Sequence, residues 1–314
     1  MKLSIIIPCK NEEENVKGLY EKISGVLDKV KYEIIYVDDG STDDTLKNLR
    51  KLHNDDVLHV KYISFSRNFK KEAAMYAGLT HASGKYTCIL DGDLQQNPKY
   101  LLEMMEVLDN DDEIDEVAMV MKERKVDSGL MKFFKKGFYW LMNRLTDVHF
   151  EDAASDFRMF RTNVREAIVN LTEKNRFTKG IFAWIGFNVK YLPYEVEPRT
   201  SGKSSFNLKN SFAYAFEGIF AFSAKPLRFA FKFGVLSLLA FFIYLIVLIV
   251  QLIAGSVEWS AVYFLILLVL FMGGLLFITI GLLGEYIARI TTEVKDRPVY
   301  IVKEKVGFKE QSIL

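Results

Sequence analysis

The stretch Tyr86-Thr-Cys-Ile-Leu-Asp-Gly-Asp-Leu-Gln95 decides the fold. It is a short apolar run closed by two carboxylates, and it predicts a buried strand over residues 86–90. In extended chain, residues i and i+2 share a face, so Asp91 and Asp93 are expected to converge. The carboxyl end of a parallel strand is where open α/β sheets bind ligands, and two hard oxygen donors there suit Mg²⁺ or Mn²⁺ on a diphosphate. Asp-Gly is also a strong turn signal, so these residues alone leave a plain polar turn open.

The chain on either side decides between the two. Residues 3–9 form an apolar run closed by Pro8, followed by Asn11, Glu12, Glu13 and Glu14 and then a helical pattern of Val16, Leu19, Tyr20 and Ile23. Acidic residues in a first turn favour the helix dipole. Residues 32–37 predict a second strand ending in Asp38-Asp39-Gly40-Ser41-Thr42-Asp43, and 57–64 a third, followed after Ser66-Arg67-Asn68 by a helix to about Ala82. A fifth strand is expected over 117–121. Strands alternating with helices at this spacing imply a parallel sheet with helices on both faces. The polar clusters after strands one, two and four would then share one edge. There Asp38 or Asp39 could accept from a base or ribose, and Arg67 and Lys71 could neutralise phosphate. The bland reading is loop and cap residues. Neither Gly-x-Gly-x-x-Gly nor a Gly-Lys-Ser/Thr phosphate loop follows the first strand, which disfavours dinucleotide and P-loop chemistry.

Taken in order, Ser4-Ile-Ile-Ile-Pro-Cys-Lys-Asn-Glu12, Val37-Asp-Asp-Gly-Ser-Thr-Asp43, Ser66-Arg-Asn-Phe69 and Leu90-Asp-Gly-Asp-Leu-Gln95 resemble the successive motifs of glycosyltransferase family two. The resemblance implies an α/β GT-A nucleotide-sugar-binding domain with a mostly parallel central sheet. It implies a nucleotide site of Pro8, Asn11, Glu12, Asp38, Asp39, Arg67, Lys71 and Asp91, a metal (Mg²⁺ or Mn²⁺) held by Asp91, Asp93 and Gln95, and Asp156 as the catalytic carboxylate, base or electrostatic. Further on, Arg176-Phe-Thr-Lys-Gly-Ile-Phe and Arg199-Thr-Ser-Gly-Lys-Ser-Ser-Phe206 are similar to the membrane-anchored polyprenyl-phosphate branch. Gly284-Glu-Tyr-Ile-Ala-Arg-Ile290 and Asp296-Arg-Pro-Val-Tyr-Ile-Val302 resemble the bactoprenol glucosyltransferases in particular. Arg199, Ser201, Lys203 and Ser204 supply cationic and hydroxyl donors for the acceptor phosphate; attraction to anionic head groups is the simpler reading of their charge. Two departures stand out: Lys70 where relatives have Gly, and Gln96-Asn97-Pro98 where they have Asp-Pro-Pro, a change expected to leave activity intact. A Gln-x-x-Arg-Trp motif of processive synthases is absent, which argues for one sugar per turnover.

With 314 residues and a net charge of +1, the chain has room for a substantial core and no overall sign of nucleic-acid binding. Residues 233–254 and 261–284 are each apolar over the roughly 20 residues that cross a bilayer. Lys225, Arg228 and Lys232 precede the first and Arg289, Lys295, Arg297 and Lys303 follow the second, while the loop 255–260 carries no cation. Both termini are therefore expected on the cytoplasmic side of a multi-pass cell-membrane protein. The start lacks a signal-peptide pattern, consistent with a catalytic domain kept inside. The expected organisation is a catalytic domain over 1–202, juxtamembrane interfacial helices over 203–229, two transmembrane helices within 230–286 and a cytoplasmic tail over 287–314. A basic, aromatic-rich helix over 132–144 suits a membrane surface or packing on the domain. Alternation in 299–306 predicts a strand able to pair with a neighbouring subunit in a homo-oligomer. Cys9 and Cys88 read as small core residues, the acidic run 109–116 as a solvated loop, and the scattered His53, His59, His81 and His149 carry no role.

The expected reaction is inverting transfer of one sugar from a nucleotide sugar, UDP-glucose or UDP-N-acetylglucosamine by resemblance, to polyprenyl (undecaprenyl) phosphate. GDP-mannose is the alternative donor, and a non-catalytic membrane-anchored nucleotide-sugar binder the alternative of another class. A transporter is disfavoured, because neither span carries an internal charge.

Overall fold

The structure is a computed structural model that describes residues 1–122, 154–174, 176–198, part of 232–254 and 261–308. Strand β1 (Leu3–Cys9) is buried along its whole length. Leu3, Ile5 and Ile7 face one apolar cluster and Ile6 the other, which is why the strand reads as an unbroken apolar run. β2 (Tyr32–Asp38) splits in the same way, Ile34 and Tyr36 to one side, Ile35 and Val37 to the other. With β3 (Val60–Phe65) and β4 (Tyr86–Ile89) they form a parallel core in the order β3-β2-β1-β4.

One face is covered by α1 (Val16–Val26), α2 (Thr45–Asp55) and α4 (Tyr100–Asn110), and the other by α3 (Lys71–His81), α5 (Thr162–Asn170) and α6 (Thr178–Trp184). α3 lies so close to β1 that a Cβ on Gly78 would fall 2.3 Å from Ile6 Cγ2. Only glycine permits that approach, and it brings the second half of α3 against the sheet.

The α/β expectation holds, with one antiparallel strand inserted. β6 (Ala154–Arg161) lies between β4 and β5 (Glu116–Met121) and is antiparallel to both, while β7 (Val189–Tyr194) extends the sheet parallel to β5. The third strand begins at Val60 instead of Val57, because Asp56 accepts the backbone N–H of His59 through its side chain and of Val60 through its carbonyl, closing a turn that leaves Leu58 exposed.

Helix α7 (Ala261–Val294) runs past the expected end of the second span. Among the described residues one helix is long and apolar enough to cross a membrane, Phe271–Val294, and none of its apolar window is buried. The described residues of 233–254 include exposed Leu236, Ile243 and Ile246, and the first expected span lies partly outside the description. The tail does form a strand, β8 (Val302–Val306), but its partner is the same chain: it pairs antiparallel with β3 at the sheet edge. Tyr300 stacks on Phe65 with centroids 4.9 Å apart, and Arg50 pairs with Glu304 at 2.5 Å. An edge that would otherwise offer unpaired backbone groups is thereby closed.

Candidate active site

The loops leaving β1, β2, β3 and β4 meet at the carboxyl edge of the parallel core. Asn11 sits at φ +54, a left-handed conformation that its short polar side chain tolerates. Its backbone N–H donates to Ser41 Oγ at 2.9 Å and its Oδ1 accepts from Thr42 N–H at 2.9 Å. Glu12 N–H donates to Thr45 Oγ1 at 2.8 Å, and Glu12 Oε2 accepts from Asn15. Gly40, at φ +65, lets the loop after β2 approach the Arg67–Asn68 backbone, where a Cβ would fall 2.5 Å from Arg67 C. Gly92 lies beside the loop after β1, where a Cβ would stand 3.4 Å from Pro8 O and 3.6 Å from Glu12 Cγ, in ordinary contact. The four loops thus form one connected rim.

Within it, Asp38 and Asp39 are buried and brace the rim. Asp38 accepts from Ser41 N–H at 2.9 Å and Ser64 Oγ–H at 2.8 Å, so both of its oxygens are engaged within the chain. Asp39 accepts from Phe69 N–H at 2.5 Å; burial pushes its carboxyl above the ordinary range in spite of that bond and of Lys10. Arg67 is exposed and lies over the Phe69 ring, its Cζ 4.1 Å from the centroid.

Lys71, the first residue of α3, is the hub. Its Nζ stands 2.7 Å from Asp91 Oδ1 and 2.7 Å from Asp156 Oδ2. It is aligned to donate to Asp156, whereas Asp91 Oδ1 is paired by charge and has no aligned hydrogen-bond donor. The three side chains keep 42%, 28% and 21% of their surface exposed, so a ligand reaches each of them. Burial alone would raise both carboxyls. At Asp156 the charges of Lys71 and Lys179 outweigh it and hold the acid far below its usual range. At Asp91 burial, with the charges of Asp156 and Asp93, outweighs Lys71 and raises the acid. Burial lowers Lys71, but the two carboxylates overcome it and drive its pKa well above the usual lysine value. Lys71 is thus a fixed cation, Asp156 a fixed anion, and Asp91 the member most easily protonated.

The Asp91-Gly-Asp93 motif lies on a turn beyond β4, not on extended chain. Asp93 approaches Asp91 because the chain reverses, and Leu94 sits at φ +61, a costly conformation for a bulky residue and one found at functional turns. Asp93 Oδ1 accepts from Gln95 N–H at 3.2 Å, and Gln95 Nε2 donates to Glu197 O at 3.4 Å. Among the described residues no three His, Cys, Asp or Glu side chains form a metal cluster. Two carboxylates and one amide nevertheless fit Mg²⁺ or Mn²⁺ on a diphosphate, since such ions draw much of their shell from phosphate and water. Asp91 Oδ1, buried as an atom and without an aligned donor, is the oxygen best suited to a cation.

Several contributors went unseen in the sequence. Gln96, 4% exposed, clamps Asp91 twice: its Oε1 accepts from Asp91 N–H at 2.9 Å and its Nε2 donates to Asp91 Oδ2 at 2.9 Å. An Asp at that position has no proton for the second bond. Arg158 shares a β6 face with Asp156, donates to Glu116 at 2.7 Å and to Ser155 O at 3.1 Å, and adds to the charge holding Asp156 ionised. Tyr194, buried, meets Ser155 Oγ at 3.3 Å beneath the three aspartates. Arg199, Ser201, Lys203 and Ser204, and the basic helix over 132–144, lie outside the described residues.

A mostly parallel sheet with a carboxylate-and-lysine cluster at its carboxyl edge defines an α/β protein with a candidate ligand site at that edge. Residues 4–169 match the family described as Glycosyl transferase family 2, and the chain belongs to that family. It is 35% identical to the SfII prophage-derived bactoprenol glucosyl transferase of Shigella flexneri over 306 residues, 97% of this chain and 98% of that one. It is also 35% identical to the uncharacterized glycosyltransferase YkcC of Bacillus subtilis over 315 residues, 99% of this chain and 96% of that one. Among solved structures, the mannosyltransferase PcManGT of Pyrobaculum calidifontis, in complex with GDP-Man and Mn²⁺, is similar at 18% identity and TM-score 0.49, covering 72% of this chain and 64% of that one.

Proposed function

We propose that the protein transfers one sugar, from UDP-glucose or UDP-N-acetylglucosamine, to undecaprenyl phosphate at the cytoplasmic face of a membrane, releasing UDP and inverting the anomeric carbon. The observation that carries this reading is the Lys71 bridge between Asp91 and Asp156, which puts a fixed cation and two carboxylates of opposite proton affinity at the carboxyl edge of the sheet. The full-length likeness to bactoprenol glucosyl transferases supports the acceptor.

The donor nucleotide lies along the rim of Pro8, Asn11, Glu12, Asp38 and Asp39, with Arg67 and Lys71 countering its phosphates. Asp91, Asp93 and Gln95 would hold Mg²⁺ or Mn²⁺, which supplies neutralising charge to the departing diphosphate. Arg199, Ser201, Lys203 and Ser204 draw the lipid phosphate up from the bilayer. A phosphate oxygen attacks the anomeric carbon as the bond to the diphosphate breaks, and UDP leaves with the electron pair. No proton need move, because the second pKa of a phosphate monoester is about 6. Asp156, held ionised by Lys71, is a weak base and a good stabiliser of positive charge developing on the sugar ring. α7 and the cations that follow it keep the site at the membrane, with both termini cytoplasmic.

The test is nucleotide release by full-length protein in detergent, with each nucleotide sugar in turn, with and without undecaprenyl phosphate, and with Mg²⁺, Mn²⁺ or chelator. Lipid-dependent, chelator-sensitive release from a UDP-sugar is expected. Release from GDP-mannose alone would move the donor assignment. Absence of lipid-dependent release from every donor, in folded protein, would leave a nucleotide-sugar binder.

A further inference from the structure

Gln95 is the one amide among the three residues that would hold the metal, and an amide offers a hard cation only its oxygen. Its Nε2 donates to Glu197 O at 3.4 Å, which commits the nitrogen to the chain and turns Oε1 away from that carbonyl. Glu197 is itself tied from three sides. Its N–H donates to Gln95 O at 2.9 Å, its Oε1 accepts from Asn97 Nδ2, and its Oε2 accepts from Lys22 Nζ of α1 at 2.9 Å. Asn97 in turn accepts the Lys99 N–H at 2.9 Å, just ahead of α4. Gly18 lies one turn before Lys22 on the same face of α1, and a Cβ on it would stand 3.9 Å from Leu94 Cδ1. The helix α1 thus backs the Asp93–Asn97 turn at Leu94 and, through Lys22, at Glu197.

We propose that Glu197 is a positioning residue for the metal: anchored on Lys22 and Asn97, it holds its own carbonyl against Gln95 and so keeps the Gln95 amide oxygen available to Mg²⁺ or Mn²⁺. The inference rests on the metal role of Asp91, Asp93 and Gln95 proposed above. A carboxamide can present oxygen or nitrogen by rotating half a turn, and its N–H₂ end is only a donor. A carbonyl fixed beside it accepts from that end alone, which selects the orientation a cation can use. The selection requires the carbonyl to stay in place. Two bonds between Gln95 and Glu197, one in each direction, and two more from the Glu197 carboxylate supply that rigidity. Partners that orient a metal ligand are typically worth about 10–100-fold in metal affinity. Glu197 is partly exposed and its backbone bond survives substitution, so its side chain belongs at the lower end.

The experiment measures Mn²⁺ binding to full-length protein in detergent with saturating UDP, from the electron paramagnetic resonance signal of free Mn²⁺. It needs no turnover. Glu197→Ala should weaken Mn²⁺ about tenfold, and Glu197→Gln, whose amide oxygen still accepts from Asn97, by no more than about threefold. Gln95→Ala removes the ligand on which Glu197 acts. Adding Glu197→Ala to it should therefore cost no more than about twofold further, where independent sites would multiply their losses. Lys22→Met loosens the same anchor from α1 and should weaken Mn²⁺ about threefold, which keeps the test open should Glu197→Ala fail to fold.

Multiplying losses in the double variant would overturn the inference, as would wild-type affinity in Glu197→Ala or in Lys22→Met. Wild type that binds no Mn²⁺ beside UDP would sink the metal assignment and the inference with it. Tight binding by wild type and unchanged binding by the variants would sink the inference alone.

Discussion

The two ends of the parallel strands treat a carboxylate in opposite ways. At the amino ends Glu33, fully buried, accepts from Ser4 Oγ–H at 2.5 Å, from Ser83 N–H and Oγ–H at 2.8 and 2.7 Å, and from Lys61 at 2.6 Å. Burial alone would raise its acid, but those bonds outweigh it and lower it. At the carboxyl ends Asp91 has Gln96 and a shared lysine, stays open to solvent, and is raised. A charge whose lone pairs are all used holds the fold together. A charge left partly uncompensated costs stability and retains the capacity to bind something else.

The sharpest break of this comparison is Asp91→Asn. Loss of the carboxylate at the diphosphate should lower nucleotide release roughly 10³-fold, at the upper end of what one electrostatic group supplies in a transition state. Because the folded state disfavours the ionised form of Asp91, neutralising it should leave the melting temperature unchanged or higher. Calorimetry beside the release assay checks both, and a large loss of stability would mean that Asp91 belongs with Glu33 as a structural charge.

Glu33→Gln is the reciprocal case. A glutamine turns an N–H group toward Lys61, leaving donor against donor, and breaking such a buried pair costs about 3 kcal/mol, reduced somewhat because Lys61 is partly exposed. The melting temperature should drop by several degrees while the folded fraction keeps its rate. A lowered folded-state pKa means a contribution present above the ordinary 4.5 and lost as pH falls through the lower folded value. The gap between wild type and variant should therefore close in acid. A gap that persists at low pH would assign the loss to packing instead of charge.

The contrast between the two edges was only half legible in the sequence. Strands buried on both faces are continuous apolar runs, so β1, β2 and β4 and the clusters at their carboxyl ends could be read directly, as could Lys71 and Asp91. β6 could not be placed, because an antiparallel strand between β4 and β5 is a long-range pairing without a local signature. Gln96 reads as a departure from the family pattern, and its grip on Asp91 depends on the reversal through Leu94 at φ +61, which side-chain propensity argues against. The tail announced a strand by its alternation, but alternation does not specify a partner, and β3 offered an open edge in the same chain.

The smallest effect concerns the residue that leads into the hub. Lys70 sits at φ +76, ψ 160, a region essentially reserved for glycine. Such a conformation costs roughly 1–3 kcal/mol, while introducing glycine loosens the unfolded chain by about 0.5–1 kcal/mol. Lys70→Gly should therefore stabilise by about 1 kcal/mol, a rise of about 2–4 °C for a domain of this size. The backbone bonds at this turn, Lys70 N–H to Asn68 Oδ1 at 2.9 Å and Ala73 N–H to Lys70 O at 3.1 Å, survive the change. A melting curve decides the matter. If the variant melts lower, the ammonium beside Lys71 contributes more than the strain removes, and stored conformational energy joins the uncompensated charge at the carboxyl edge as something the fold sustains for the site.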